Sequence, residues 1–184
     1  MSNSLEKFYE HVETIGQGAQ ATVHLVKRKD NQNLSVIKQM DLSLMDEKGV
    51  KLCYKEAQIL KILKHPNIIK LQEVYKTKRG HLHIVMEHAD DGDLMSHIQE
   101  RKSSGKYFSE DEVLNIFTQI GLALKHAHDR KILHRDLKPS NVFMMKGGMV
   151  KLGDFGVAGV IEHTKSYKDT FLGTPLYMCP EMLK

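Results

Sequence analysis

The sequence predicts an α+β fold in two lobes: an antiparallel-sheet first half carrying one helix, and a mainly helical second half. Three observations predict it. Short β-rich runs separated by turn residues crowd the chain before residue 88, one helical stripe interrupts them, and a capped amphipathic pattern follows a polar linker.

From Phe8 to Met40 the runs YEHVETI, ATVHLVKR and LSVIKQM are separated by a glycine-bearing turn and the polar DNQN, which predicts a three-stranded meander. Between Asp46 and Lys64, Val50, Cys53, Tyr54, Ala57, Leu60 and Leu63 recur at three- and four-residue steps, the stripe of a helix. His65-Pro66-Asn67 stops it, because the residue before a proline is pushed out of the helical region. IIKLQEVYKT and HLHIVME then read as two strands joined at KRG, and HADDGDL reads as the linker. Ser109 with Glu112 forms a capping box ahead of the stripe Val113, Ile116, Phe117, Ile120, Leu124 and Ala127. NVFMM and MVKLG around Gly147-Gly148 predict a hairpin. The implied division is a first lobe over 1–86, a connecting hinge over 87–93 and a second lobe over 94–184.

Composition excludes several classes. At 41% apolar and 27% charged residues the chain is ordinary for a globular protein, and no run approaches the ~18 apolar residues of a membrane span. The first seven residues lack a secretory pattern, so an intracellular, cytoplasmic location is expected. Cys53 and Cys179 form no C-x-x-C pair and are expected reduced. A scattered net charge of +4 gives no nucleic-acid footprint. Among 11 histidines, His81/His83 and His126/His128 stand two apart; read as helical pairs they point to different faces, which argues against metal.

Four features carry chemistry. IGQGAQATV, through Val23, is a glycine-rich turn between strands that permits close backbone approach to phosphates, although hairpin glycines are more often plain turn formers. Lys38 sits in an apolar strand, and Glu56 on the stripe helix could serve as its counterion. LHRDLKPSN, ending at Asn141, sets a base, a cation and a carbonyl ligand in one loop as Asp136, Lys138 and Asn141. KLGDFG, Lys151 to Gly156, adds the hard oxygen ligand Asp154, suited to Mg²⁺.

In this order, with Thr-Pro and Pro-Glu downstream, these motifs resemble the eukaryotic protein kinase domain from about Phe8 to Glu181. HRDLKPSNVF, VKLGDFGVA, GTPLYMCPE, HPNII and IVMEHADDGDL are most similar to the NIMA-related (Nek) serine/threonine kinases. The resemblance implies ATP and Mg²⁺ as cofactors, and transfer of the ATP γ-phosphoryl group to Ser or Thr of a protein substrate. It implies that Ile15, Gly16, Gly18 and Val23 cover the nucleotide, and that Lys38, oriented by Glu56, holds its phosphates. Met86 falls at the gatekeeper position, Glu87 and Ala89 at the adenine-bonding backbone, and Phe143 below the ring. Asp136 is implied as base, Lys138 as the cation on the transferred group, and Asn141 and Asp154 as metal ligands. Leu60, Leu71, His134 and Phe155 match a regulatory apolar stack. Thr170 matches an activating phosphorylation position facing Arg135, and Thr174 is expected to contact Asp136 and Lys138.

Three departures from the pattern, Ala21 for the third loop glycine, Val36 before the lysine and CPE for APE, do not predict a dead site. Relative to the family the chain stops after the activation segment, before the arginine that Glu181 would pair with. An incomplete second lobe is therefore expected, with weak activity and an apolar underside exposed beneath the helix from Ser109 to Asp129. The alternative reading is a non-catalytic ATP-binding or regulatory module, or one that self-associates through that underside. Cytoskeletal association is implied by family resemblance alone.

Overall fold

Alternating strands with β-branched and aromatic side chains assemble one antiparallel sheet from β1 (Tyr9–Gln17), β2 (Thr22–Arg28), β3 (Leu34–Asp41), β4 (Leu71–Lys76) and β5 (His81–Glu87), in the spatial order β1-β2-β3-β5-β4. This computed structural model describes residues 7–18, 21–156, 158–160, 174–178 and 180. Thr170, Cys179 and Glu181, singled out in the sequence, lie outside them. The described residues divide into two compact units, one within 1–61 and 70–88, the other within 62–69 and 89–184.

From Leu34 to Lys38 of β3 the period of two decides which side chains are buried. Tyr9, Val26, Ile37 and Val85 pack into one apolar cluster with Tyr75 against it, while Lys38, one residue on from Ile37, projects to the opposite face. Register places Lys38 between Val23 of β2 and Ile84 of β5. Helix α1 (Glu47–Ile62) buries Cys53, Glu56, Ala57, Ile59 and Leu60. The expected stripe is thus rotated: Tyr54 is 37% exposed and Ile59 is 2% exposed. Glu56 points inward to meet Lys38, and this turns the helix away from a purely apolar face.

His81 and His83 stand on β5, not on a helix, so their spacing puts both on one face; their ring centroids are 6.3 Å apart. His83 is 2% exposed, and among the described residues neither of its ring nitrogens nor the Tyr75 hydroxyl finds a hydrogen-bond partner. Burial foremost, with His81 and His24 adding, pushes the His83 imidazole down to about 4.

The second unit holds α2 (Leu94–Ser103), α3 (Glu110–Asp129), β6 (Ile132–Leu133), the hairpin of β7 (Val142–Met144) and β8 (Val150–Leu152), and β9 (Gly159–Val160), which pairs with β6. Helix α2 is not singled out by the sequence pattern: it buries no residue, and its start is marked only by Asp93, whose carboxylate accepts from Ser96 N. The capping box of α3 forms as expected, Ser109 Oγ accepting from Glu112 N at 3.2 Å and Glu112 Oε2 accepting from Ser109 N at 2.7 Å. Arg101 bonds the same carboxylate and, with the Ser109 bonds, holds it down to about 2. Only Ala123 and Ala127 of α3 are buried, while Val113, Leu114, Phe117 and Leu122 are 51%, 52%, 71% and 49% exposed. No helix among the described residues is long and apolar enough to cross a membrane.

His65-Pro66-Asn67 does more than stop α1. Asn67 Nδ2 donates to Val150 O at 2.9 Å and to Gln119 Oε1 at 2.7 Å, Lys151 Nζ donates to Pro66 O at 2.9 Å, and Leu152 N donates to Asn67 O at 2.8 Å. Gln119 Oε1 also accepts from Val150 N, and its amide nitrogen donates to Gly148 O. A turn and one glutamine thereby fasten the hairpin that carries the candidate site to α3.

Candidate active site

The first unit holds a buried ion pair and a glycine-bearing turn. Lys38 Nζ lies 2.8 Å from Glu56 Oε1, with the two side chains 19% and 5% exposed. The strand residue is therefore paired inside rather than snorkelling to an edge. Gly16 pairs with Val23, and Gly18 N donates to Ala21 O at 2.9 Å, closing the turn. Neither glycine has the positive φ that would require one, and a Cβ on either would meet only ordinary contacts, 3.5 Å from Val23 Cβ and 3.7 Å from Ala21 O. Ile15 is 49% exposed beside them. Met86 pairs with Val36 and Leu71 in the sheet, and Glu87 both donates its N–H to Lys70 O and accepts from Lys70 N at 2.5 Å. These bonds fix the backbone where the strand leaves the sheet. Leu60 is buried in α1, and Leu71 opens β4.

In the second unit the loop after β6 gathers four side chains. Asp136 Oδ2 lies 2.7 Å from Lys138 Nζ, and Thr174 Oγ1 donates to Asp136 Oδ1 at 2.8 Å. Lys138 Nζ in turn donates to Thr174 Oγ1 at 2.8 Å. Asn141 Nδ2 reaches both Asp136 O at 2.8 Å and Asp136 Oδ2 at 3.0 Å. Burial raises the Asp136 carboxyl, but the bonds from Lys138, Thr174 and Asn141 together outweigh it and hold the group below the usual carboxylate range. It is therefore ionised at neutral pH.

His134 orders the loop from beneath. Its Nε2 lies 2.8 Å from Gly153 O, and its Nδ1 accepts from Asp136 N at 3.3 Å, which together specify the neutral ring with the proton on Nε2. Burial, only partly offset by the Gly153 carbonyl, lowers the His134 pKa and favours that form. The ring packs on Phe155 at 4.7 Å between centroids. Phe143 pairs with Asp93 in a bridge and with Lys151 across the hairpin, and its ring crowds Gly153, where a Cβ would stand 2.6 Å from Phe143 Cε2 and 2.9 Å from Ile69 Cγ1. Ala89 lies half-buried ahead of this, and Asp91 N donates to Met144 O while Met144 N donates to Gly92 O.

Sequence reasoning missed Gly153, whose need is set by residues 10 and 84 positions away and leaves no local signal. It also missed that Arg135 and Asp154 adopt left-handed backbone, with φ of 67° and 54°. Such strain in non-glycine residues collects where a side chain must be aimed. Asn141 is buried at the loop's end, with its amide nitrogen committed to Asp136, and Asp154 follows the crowded glycine on an exposed turn. An amide carbonyl and a carboxylate are the hard oxygen donors that fit Mg²⁺.

A loop of aspartate, lysine and asparagine in mutual contact, an Asp-Phe-Gly turn with left-handed Asp154, and a lysine–glutamate pair on sheet and helix define the class. The family model for the protein kinase domain matches residues 9–184, and the chain belongs to that family. Among curated proteins it is similar to the serine/threonine-protein kinase Nek5 of Homo sapiens, 44% identical over 95% of this chain and 24% of that protein. It is likewise similar to Nek1 of Mus musculus, 42% identical over 95% of this chain and 14% of that protein. Nek2 of Homo sapiens is 40% identical over 95% of this chain and 41% of that protein. The chain thus spans less than half the length of these relatives.

Proposed function

We propose that the chain is a serine/threonine protein kinase domain of Nek type, transferring the γ-phosphoryl group of ATP to a Ser or Thr hydroxyl of a protein. The observation that carries this reading is the ionised Asp136 held by Lys138, Thr174 and Asn141.

Asp136 accepts the proton of the substrate hydroxyl as its oxygen forms a bond to the γ-phosphorus and the bond to the ADP oxygen breaks. A base so placed contributes about 10² to 10⁴ in rate. Lys138, already within reach of Asp136, balances charge on the transferred group. Lys38, oriented by Glu56, holds the α- and β-phosphates, and Gly16 and Gly18 let backbone N–H groups approach them. Asn141 and Asp154 would hold Mg²⁺, which when bound neutralises phosphate charge. Met86, Glu87 and Ala89 would border the adenine, with Phe143, Ile15 and Val23 as apolar walls. Thr170 is proposed as a phosphorylation position, with Arg135 as the cation that receives the phosphate.

Radiolabelled ATP supplied with Mg²⁺ and a Ser/Thr protein substrate tests the reading. Transfer is expected from the parent chain and is expected to fall by about 10² to 10⁴ in Asp136→Asn. Transfer that survives that substitution undiminished, or that the parent chain never shows although it binds ATP, overturns the assignment of Asp136 or of the activity.

A further inference from the structure

The pairing of β6 with β9 sets Leu133 opposite Gly159 and brings Arg135, two residues beyond, over the β9 backbone. A Cβ built on Gly159 would stand 2.2 Å from Arg135 Cζ and 2.5 Å from each terminal nitrogen, so the guanidinium lies broadside on the bare Cα. Gly159 is buried, and its φ lies outside the left-handed region, so its backbone conformation is open to any residue. What a side chain at 159 would displace is the Arg135 guanidinium. Gly153 differs, because the atoms that exclude a Cβ there are the Phe143 ring and Ile69.

We propose that Gly159 is a positioning residue for Arg135: the bare β9 backbone is the seat of the guanidinium, and that seat holds the strained turn at Arg135 that presents Asp136. Arg135 has φ of 67°, a conformation that persists in a non-glycine residue only when its surroundings over-determine it. Its backbone is fixed on one side by the bond from Asp136 N to His134 Nδ1. At the other end of the same residue the guanidinium rests against the Gly159 backbone. A methyl group at 159 lifts the guanidinium, and the turn then relaxes toward ordinary φ, carrying the Asp136 carboxylate with it. The catalytic consequence, though not the seat itself, rests on the reading of Asp136 as the base.

The test is a double-mutant cycle on the 184-residue chain with Gly159→Ala, Arg135→Ala and the pair. Amide hydrogen exchange from Ile132 to Asp136 is one readout, and kcat with KM for ATP is the other. Gly159→Ala alone is expected to speed exchange at Arg135 and Asp136 about tenfold. It is also expected to lower kcat about 10- to 100-fold while KM for ATP holds within about twofold. In the Arg135→Ala background, where there is no guanidinium to displace, the same substitution is expected to change exchange and kcat by less than about twofold. If Gly159→Ala alone does not fold, recovery of folding in the double variant supports the seat, and failure of both overturns it. Equal effects of Gly159→Ala in the two backgrounds, or no effect in either, also overturn it. Because exchange needs no turnover, a parent chain without transfer activity sinks the kinase reading and leaves this proposal to be decided by exchange.

Discussion

In the first unit Lys38, on a strand, meets Glu56, on a helix and 18 residues on in sequence, at 2.8 Å. In the second, Asp136 is held by Lys138, Asn141 and Thr174, two of them within five residues of it. The first arrangement depends on the packing of two separate elements and on a carboxylate only 5% exposed. The second spreads the task over three donors, most of them in a single loop. Removal of one donor from the loop leaves others in place, whereas removal of Glu56 takes from Lys38 the carboxylate that orients it.

Three measurements break or sharpen that contrast. The largest effect is expected for Glu56→Ala, which leaves a largely buried ammonium without this partner and lowers stability by about 3–5 kcal/mol. Urea denaturation of the variant beside Lys38→Met and the double variant measures it. A double variant as unstable as the sum of the singles would show that the two groups do not act as a pair.

Next is the acid response of the first unit. His83 is neutral and buried in the fold, with its imidazole pushed down to about 4, so the unfolded chain binds the extra proton between about pH 6.5 and 4. Stability is complete above about pH 6.5 and falls as pH drops toward 4, by up to about 3 kcal/mol. Denaturation midpoints at pH 7 and pH 4.5 should show this fall in the parent and a flatter profile in His83→Leu. Leucine should also raise stability at pH 7, because it replaces two buried ring nitrogens that lack hydrogen-bond partners among the described residues. An unchanged pH profile would exclude His83 as the source. The second unit shares the sign through His134, whose lowered pKa likewise makes the fold favour high pH.

The smallest effect is expected in the four-membered loop network. Thr174→Ala removes one donor to Asp136 and one acceptor for Lys138. Phosphoryl transfer is expected to drop about tenfold, ~1.4 kcal/mol, because Lys138 and Asn141 still hold the carboxylate. Thr174→Ser is expected to restore the rate. A loss as large as that of Asp136→Asn would mean that the network is not distributed at all.

Much of this was legible in the sequence, for local reasons. HLHIVME coincides with β5, and the capping box of α3 is made of the two residues that announce it, because period and capping act over a few residues. The pairings of Lys38 with Glu56 and of Thr174 with Asp136 and Lys138 were also expected from the chain, the first from residue chemistry and the second from family resemblance. What escaped lacks short-range signal. Helix α2 buries nothing, so no stripe marks it. Strands of two residues, as in β6 and β9, cannot display a period. The exposure of Tyr54, a member of the expected stripe, depends on how α1 turns toward a lysine from another element.

By itself the sequence determined the chemical inventory: an aspartate with its lysine and asparagine in a single loop, a lysine in a strand, and the elements that carry them. Those follow from residue type and local spacing. Only the tertiary structure decided which glycines are pressed against a neighbour, Gly153 under Phe143 and Gly159 under Arg135, and how Asn67 and Gln119 fasten the hairpin. Such contacts join residues tens of positions apart, and the excluded volume of one side chain leaves no trace in the sequence around the other.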